Sequence, residues 1–320
     1  MPAARNSPQP RVVILGTGGT IAAAATESSN TTDYALAHGI DAVLSTLPQM
    51  ASHAQVRAEQ VANLPSQEID NATLLQLARR INALSASADV DGIVVTHGTD
   101  TLEETACFLQ RLLAPAKPVV LTCAMRPATS LLADGPQNLR DAITVAAHAG
   151  ARGVVAVVAG AVHGALDVRK AHTYRLDAFA SGDAGPIGRV EEGRLRRLRD
   201  WPAGTALGLA VLGDDAARWP RVEIVASHAG ADGRVVDALV VQGVDGLVVA
   251  ATGGGSVHEA LEAALVRAQD TGVAVLRASR VGAGPLLPRD DDVLPAASGL
   301  TPAQARVELL LQLLARRAAP

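Results

Sequence analysis

Short runs of apolar, mostly β-branched residues alternate with longer segments of helical spacing along the first half of the chain. Four such runs lie at 12–15, 93–95, 119–121 and 154–158, and nearly all their residues are valine, isoleucine or leucine. Continuous apolar runs of this length are typical of strands buried on both faces, as in a parallel sheet covered by helices. The alternation therefore predicts βαβ units and a mostly parallel sheet.

Capping residues indicate where the helices begin. They predict helices over 72–84, 101–113 and 137–149, opened by Asn71, Asp100 and Asp134. Thr301 followed by Pro302 is a typical helix start, and the leucines after it recur at helical spacing, so the chain is expected to end in a helix.

The alternation breaks between 182 and 219, where Gly, Pro, Arg and Asp dominate, and we interpret this stretch as an edge hairpin followed by a linker. Beyond it, strands are expected at 222–225, 247–251 and 273–276, with a helix over 256–269. The predicted fold class is α/β, with a larger N-terminal domain whose mostly parallel sheet is flanked by helices and a smaller C-terminal α/β domain. The predicted bounds are 1–198 and 220–320 for the two domains, with a linker over 199–219.

Composition excludes several classes of function. Aromatic residues make up only 2% of the chain and hydrophobic residues 48%, so small aliphatic side chains must fill the core. A formal net charge of −4 gives no general attraction for nucleic acid, and the basic cluster at 194–199 has no aromatic platform beside it. No stretch reaches the roughly 18 uncharged apolar residues of a membrane span, and residues 1–10 lack the apolar core of a signal peptide. We therefore expect a cytoplasmic protein with no nucleic-acid or membrane partner.

The two cysteines do not indicate chemistry. Cys107 falls in a predicted helix and Cys123 in a predicted strand, which suits small buried apolar residues better than a disulfide, a metal pair or a nucleophile. No metal site is expected.

Two polar motifs directly follow predicted strands. Residues 17–21 read T-G-G-T-I, and residues 96–101 read T-H-G-T-D-T. In open α/β sheets the carboxyl ends of strands are where ligands bind. The first motif has Ile21 where a dinucleotide loop needs its third glycine, and it lacks the lysine of a phosphate-binding loop. Its hydroxyls and backbone donors favour acyl transfer instead.

A threonine hydroxyl needs a base or a proton relay before it can act as a nucleophile. Thr20 is the candidate nucleophile, although a threonine that hydrogen-bonds its own loop is the commoner case. Lys170 is the preferred base because burial makes a lysine ammonium easier to deprotonate, although a surface lysine is the ordinary interpretation. His97 is interpreted as a residue that packs its loop.

Asp100 has two compatible interpretations. Its spacing to Glu103 is that of a capping box, which predicts a helix cap. Gly98 lets the backbone approach a ligand, and a helix N-terminus offers free N–H groups to an anion, which predicts a binding site at the same place.

Three further polar residues could serve the site. Tyr34 follows the polar loop 26–33, which could close as a lid over the reaction. Ser66 and Gln67 follow a Leu-Pro pair and could bind a carboxylate, although turns commonly contain such residues.

These motifs resemble, in order and spacing, those of the bacterial-type L-asparaginases. The matching blocks lie at 17–22, 66–67, 96–106, 124–127, 133–138, 167–170, 279–281 and 297–302. The resemblance implies hydrolysis of the side-chain amide of L-asparagine, with L-glutamine as a second candidate substrate, to aspartate and ammonia without a cofactor. It also implies a homotetramer built as a dimer of dimers, in which the C-terminal domain completes the neighbouring subunit's site.

The resemblance assigns residue roles as well. It implies a catalytic set comprising the nucleophile Thr20, the loop tyrosine Tyr34 and a second triad of Thr99, Asp100 and Lys170. It implies a substrate-binding set comprising Ser66, Gln67, Thr99, Asp100 and Ala124, with the backbone amide of Thr99 in the oxyanion hole and the backbone of Ala124 near the amide.

The chain departs from the family pattern at two places. A turn that carries asparagine in many members reads Gly-Gly-Gly-Ser at 253–256, and the segment 282–289 lacks the glutamate that members supply to the partner subunit. Asp290, Asp291 or Asp292 could replace it, although a solvated acidic turn is the simpler interpretation. Two alternatives to asparagine hydrolysis stay open: an amino-acid sensor without activity on the same scaffold, and an amidase for a larger amide.

Overall fold

The computed structural model describes residues 9–25, 34–36, 39–45, 54–290, 292–297 and 299–319. The strands are β1 Arg11–Gly18, β2 Ala23–Ala25, β3 Tyr34–Leu36, β4 Gln55–Leu64, β5 Gly92–Thr96, β6 Pro118–Thr122, β7 Gly153–Val158, β8 Ala161–Gly164, β9 Arg169–Lys170, β10 Phe179–Ala180, β11 Gly188–Glu191, β12 Arg194–Arg197, β13 Val222–Ala226, β14 Gly246–Ala251 and β15 Ala274–Ser279. The α-helices are α1 Ile40–Ser45, α2 Asn71–Ala86, α3 Leu102–Leu113, α4 Gly135–Ala146, α5 Arg234–Val241, α6 Glu259–Asp270 and α7 Pro302–Ala318. In these ranges, no helix combines the length and the apolar character that a membrane crossing needs.

Within the described residues, the main sheet has eight strands in the order β12-β11-β8-β7-β6-β5-β1-β4. The five strands β7, β6, β5, β1 and β4 are parallel to one another. Strands β8, β11 and β12 extend the sheet beyond β7 as antiparallel strands. The predicted parallel sheet is confirmed, and so is the edge hairpin, which is β11 and β12.

Alternate residues of the central strands supply two separate cores. Val13 and Leu15 pack with residues of α2 and α3, whereas Val12 and Ile14 pack with residues of α1 and α4. Successive side chains of a strand point to opposite faces, so a run that is apolar throughout requires helices on both sides. This is the physical reason that the continuous apolar runs predicted the layered fold correctly.

The smaller C-terminal domain is built on the parallel sheet β13-β14-β15. Helices α5 and α6 cover one face, and α7 covers the other while also packing against α3. The predicted fold class is confirmed. The exact domain bounds stay a prediction, and within the segment 199–219 Trp201, Leu212 and Trp219 are buried.

Helix starts differ from the sequence predictions in detail. Asp70, and not Asn71, caps α2, because its Oδ1 accepts both the backbone N–H and the hydroxyl of Thr73. Helix α4 occupies 135–146, whereas the sequence predicted a helix over 137–149. The cap of α7 is confirmed: Thr301 and Gln304 form a reciprocal capping box.

Both cysteines are buried and unpaired, as predicted. Burial raises the pKa of each thiol, which keeps the reactive thiolate form scarce. Cys107 lies in α3, and Cys123 directly follows β6.

Asp141 is a buried carboxylate in α4, and we expect Asp141→Asn to stabilise the protein at neutral pH. The side chain is 2% exposed, its Oδ1 accepts a hydrogen bond from Gln137, and burial raises its pKa from 3.8 to about 6. A raised folded-state pKa contributes stability at low pH that is lost as pH rises through about 6. Asparagine avoids that loss, so the free energy of unfolding is expected to rise by about 2 kcal/mol at pH 7.5 and to change little at pH 4.

Urea unfolding at both pH values and one protein concentration checks this expectation. Asp200→Asn is the control, because the Asp200 side chain is 93% exposed. An equal gain at both pH values for Asp141→Asn would contradict the assigned cause.

Candidate active site

The candidate site lies at the carboxyl edge of four adjacent parallel strands, β4, β1, β5 and β6. The chain runs from β1 outward to β4 and then returns past β1 to β5, so the direction of winding changes between β1 and β5. Ligands of open α/β sheets bind outside such a switch point. Both polar motifs leave the sheet there, since T-G-G-T-I follows β1 and T-H-G-T-D-T follows β5.

The two motifs are in direct contact. The Thr17 hydroxyl donates to the Thr96 carbonyl at 2.8 Å, with Thr17 only 1% exposed. Gly19 lies against Gly98 so closely that a Cβ on Gly19 would sit 2.4 Å from the Gly98 nitrogen. Thr20 is buried and begins the short 3-10 turn that follows, so the close approach of two glycines sets where its side chain lies.

Gly19→Ala is expected to destabilise the protein more than Gly150→Ala does. The two glycines have almost the same positive φ, 81° and 82°, but a Cβ on Gly150 meets no atom within 4 Å. Each alanine carries the cost of a positive φ, about 1–3 kcal/mol, whereas only the one at 19 also collides with backbone. We expect that collision to add about 1–3 kcal/mol to the loss of unfolding free energy and to lower activity. Urea unfolding of both variants measures the difference, and equal losses would contradict the close contact.

Lys170, Thr99 and Asp100 form a hydrogen-bonded cluster. The Lys170 Nζ donates to the Thr99 Oγ1 at 2.8 Å and to the Asp100 Oδ1 at 2.6 Å. The Lys170 side chain is 22% exposed and that of Asp100 is 57% exposed, so the cluster opens to solvent through the carboxylate. The structure brings together the three residues that the resemblance implies as a triad, and Lys170 is no surface lysine.

Asp100 does not cap α3. The helix begins at Leu102 with Thr101 at its N-cap, and no side chain caps it. The Asp100 carboxylate instead accepts a charge-assisted hydrogen bond from the Lys170 ammonium. The predicted cap is therefore wrong, while the predicted position in the site agrees with this contact.

Ser66 is hydrogen-bonded to Asp100 and Thr101. It begins a 3-10 turn after β4 and is 2% exposed. Its Oγ accepts the backbone N–H of Asp100 at 3.1 Å, and its carbonyl accepts the hydroxyl of Thr101 at 2.8 Å. Gln67 follows it in the turn with an exposed side chain.

His97 is a packing residue, as predicted. Its ring is fully buried, with Nδ1 2.8 Å from the Gly98 carbonyl and Nε2 2.9 Å from the Thr105 hydroxyl. Desolvation lowers the pKa of His97 to about 4, so the ring is neutral at physiological pH. Nδ1 then donates to the carbonyl, and Nε2 accepts from the hydroxyl.

The turn 123–126 brings Ala124 to the site. Ala124 is fully buried and lies beside Gly135 and Ile21, the residue after Thr20. The Asp134 carboxylate holds the turn by accepting the backbone N–H groups of Met125 and Arg126, each at 3.0 Å. Sequence reasoning missed this role for Asp134, because the residue was interpreted only as a helix start.

Tyr34 lies in β3, paired with Ala25 of β2. The predicted lid, 26–33, lies outside the described residues. The role of Tyr34 therefore rests on the resemblance alone.

Asp292 is not part of a solvated acidic turn. Its carboxylate lies 2.6 Å from the Arg277 guanidinium, with the side chains 18% and 5% exposed. The hydrogen bond from Arg277 lowers the pKa of Asp292, and the backbone N–H of Arg289 adds to that effect. Asp292 is therefore the ion-pair partner of Arg277. Asp290 is exposed, and Asp291 lies outside the described residues.

The glycine turn at 253–255 is held through its carbonyl groups. Ser279 donates to Gly253, Arg289 to Gly254 and Arg277 to Gly255. Since residues 253–255 are all glycines, the turn presents backbone and no side chains.

Comparison with known proteins identifies the family. A model of the asparaginase N-terminal domain matches residues 11–202, and a model of the glutaminase/asparaginase C-terminal domain matches residues 221–319. The chain belongs to the asparaginase family.

Relatives match along nearly the whole chain. L-asparaginase 2 of Bacillus subtilis is 39% identical and the glutaminase-asparaginase of Pseudomonas fluorescens 37%, over 95% and 94% of this chain and 82% and 86% of the relatives. The crystal structure of a probable cytoplasmic L-asparaginase from Campylobacter jejuni is 36% identical and superposes with a TM-score of 0.89, covering 95% of each chain. These similarities show the family and the fold; the roles of individual residues in this chain are proposals.

Proposed function

We propose that the chain hydrolyses the side-chain amide of L-asparagine to L-aspartate and ammonia, with L-glutamine as a second candidate substrate. The observation that carries the proposal is the contact of the two strand-end motifs, which brings the Thr20 segment beside the Lys170, Thr99 and Asp100 cluster. Relatives named L-asparaginase and glutaminase-asparaginase support the same substrates.

In the proposed mechanism the Thr20 hydroxyl attacks the amide carbon and forms an acyl-enzyme. The step requires Lys170 as the neutral amine: it takes up the released proton through the Thr99 hydroxyl, 2.8 Å away, and becomes the ammonium. The ammonium then returns that proton to the amide nitrogen, which leaves as ammonia. Water then attacks the acyl group, its proton returns to Thr20, and aspartate is released. The backbone N–H of Thr99 stabilises the oxyanion.

Substrate binding is assigned to the surrounding polar groups. Asp100 binds the substrate's ammonium group, and Ser66 and Gln67 bind its α-carboxylate. Ala124 contributes a backbone contact near the amide, and Tyr34 acts beside Thr20. The fixed turns that carry Ser66 and Ala124 support these roles, since rigid groups lose little entropy when substrate binds.

The test measures ammonia release by the purified protein from L-asparagine and L-glutamine in parallel. We expect ammonia and aspartate in equal amounts from asparagine, and the same assay gives kcat/KM for glutamine. Asparagine binding without turnover would favour the sensor, and turnover confined to larger amides would favour the other amidase. One methylene is worth about 1–3 kcal/mol of discrimination, so the kcat/KM values for the two substrates are expected to differ by no more than about 10- to 200-fold.

Assembly and location are two separate proposals. We propose a homotetramer, for which light scattering should give about four times the 32.7 kDa of one chain. A cytoplasmic location is proposed because the Campylobacter jejuni relative is named as cytoplasmic, and cell fractionation tests it.

A further inference from the structure

Lys170 lies on a short strand that gives it little support. Strand β9 has only two residues and pairs with the equally short β10. Isolated two-stranded ribbons are marginally stable on their own. The position of the Lys170 ammonium therefore depends on contacts outside this ribbon.

Glu103 supplies the first of these contacts. It lies in the first turn of α3, and its Oε2 accepts the backbone N–H of Lys170 at 2.8 Å. Its other oxygen, Oε1, accepts the hydroxyl of Thr301 at 3.1 Å. Burial raises the pKa of Glu103, and the hydrogen bonds from Lys170 and Thr301 oppose that rise. One carboxylate thus joins the Lys170 main chain to the N-cap of α7.

The capping box of α7 supplies the second contact. Gln304 is fully buried, its Oε1 accepts the Thr301 backbone N–H, and its Nε2 donates to the Val168 carbonyl at 3.0 Å. The Thr301 hydroxyl accepts from the Gln304 backbone while it donates to Glu103. Gln304 therefore holds the chain directly at Val168, and Thr301 holds it at Lys170 through Glu103.

We propose that Glu103 is a positioning residue for Lys170, and that Thr301 and Gln304 of α7 complete this support. The inference rests on the proposed function, because it assumes that Lys170 acts in the reaction. It adds that the C-terminal domain sets the geometry of the site within its own chain.

The first experiment compares Glu103→Leu with Glu104→Leu. Both glutamates are half-buried in the first turn of α3, and in the described ranges Glu104 has no hydrogen bond to Lys170 or Thr301. We expect Glu103→Leu to lower kcat for asparagine by about 10- to 100-fold with a smaller change in KM, because a misplaced catalytic group slows the reaction step. Glu103→Gln, which keeps one acceptor, should fall between this variant and the wild type, and Glu104→Leu should keep its kcat.

A second pair of variants covers the case in which Glu103→Leu does not fold. Thr301→Ser keeps the hydroxyl and should keep kcat, whereas Thr301→Val should lower kcat in the same direction as Glu103→Leu. Equal kcat values for Thr301→Ser and Thr301→Val would overturn the proposal. A folded Glu103→Leu with wild-type kcat, or an equal loss in Glu104→Leu, would overturn it as well.

An activity-independent measurement separates this inference from the proposed function. The chain has two lysines, Lys117 and Lys170, so acetylation of each can be followed by peptide mass spectrometry. Release of Lys170 in Glu103→Leu, or in Thr301→Val, should raise its labelling rate relative to that of Lys117 severalfold. An unchanged ratio overturns the inference even if the wild type releases no ammonia. An ammonia-producing wild type with an unchanged ratio overturns the inference alone.

Discussion

Thr20→Ala is expected to lower kcat for asparagine by on the order of 10⁴-fold or more, the scale seen when an enzyme loses its nucleophile. Thr20 is buried in the 3-10 turn after Gly19, and alanine fits the same backbone. The variant should therefore fold as the wild type does. Ammonia release under substrate saturation, together with a urea unfolding curve, checks both parts of the expectation.

Thr17→Ala is the matched control. Thr17 lies three residues earlier in the same motif and is buried, and its hydroxyl donates to the carbonyl of Thr96. Loss of that bond should lower the free energy of unfolding by about 1 kcal/mol while most of kcat remains. If Thr20→Ala keeps full activity, or if both variants lose activity equally, Thr20 is not the nucleophile.

The acyl-enzyme distinguishes Thr20 from Thr99. Thr99→Ala should also lose activity, because Thr99 accepts the hydrogen bond of the Lys170 ammonium. Acid quenching during turnover, followed by peptide mass spectrometry, should find the acyl mass on the peptide that contains Thr20. An adduct on the Thr99 peptide would reverse the two roles.

Much of the fold could be predicted because local apolar patterns reflect burial on both faces of a sheet. The strand from Val12 to Leu15 is an example, since alternate residues serve two different cores. The end of each strand could be predicted because the apolar run stops where burial on both faces stops. Parallel strands place their carboxyl ends at one edge of the sheet. The convergence of the two polar motifs follows from these two facts.

The partners of charged side chains could not be predicted, because they lie far away in sequence. Asp100 has the spacing of a capping residue, yet its partner Lys170 is 70 positions away. Asp292 lies in an acidic run that is typical of a solvated turn, yet Arg277 on β15 holds it in a mostly buried pair. Sequence spacing describes neighbours on one element, whereas these contacts arise only when separate elements pack together.

The contacts by which Asp134 and Thr301 hold neighbouring segments of the site were also not predicted from the sequence. Asp134 and Thr301 each carry a helix-start signal that explains their residue type completely. In the structure the Asp134 carboxylate holds the turn of Ala124, and the Thr301 hydroxyl reaches Glu103. A residue that already has a sufficient local explanation gives no sequence signal for a second role.

Lys170→Met is expected to lower kcat by about 10²–10⁴-fold, the usual contribution of a general acid or base. Methionine matches the unbranched shape of lysine but cannot accept or donate the proton that the Thr99 hydroxyl shares with the ammonium at 2.8 Å. The chain has 26 arginines and only two lysines, so nearly all of its basic side chains are arginine, whereas position 170 carries lysine. Arginine stays protonated in proteins, which suits ion pairs but not proton transfer.

Two further variants decide what the ammonium does. Lys170→Arg keeps the positive charge beside Asp100, so it should be nearly as impaired as Lys170→Met if proton transfer is the role, and largely active if charge alone matters. Lys117→Met is the control: the Lys117 ammonium donates to the Ser87 carbonyl, and Lys117 precedes β6 at the edge of the sheet opposite the site. Kinetics of the three variants on asparagine should give two impaired enzymes and one of wild-type kcat. Wild-type kcat for Lys170→Met would remove Lys170 from the mechanism.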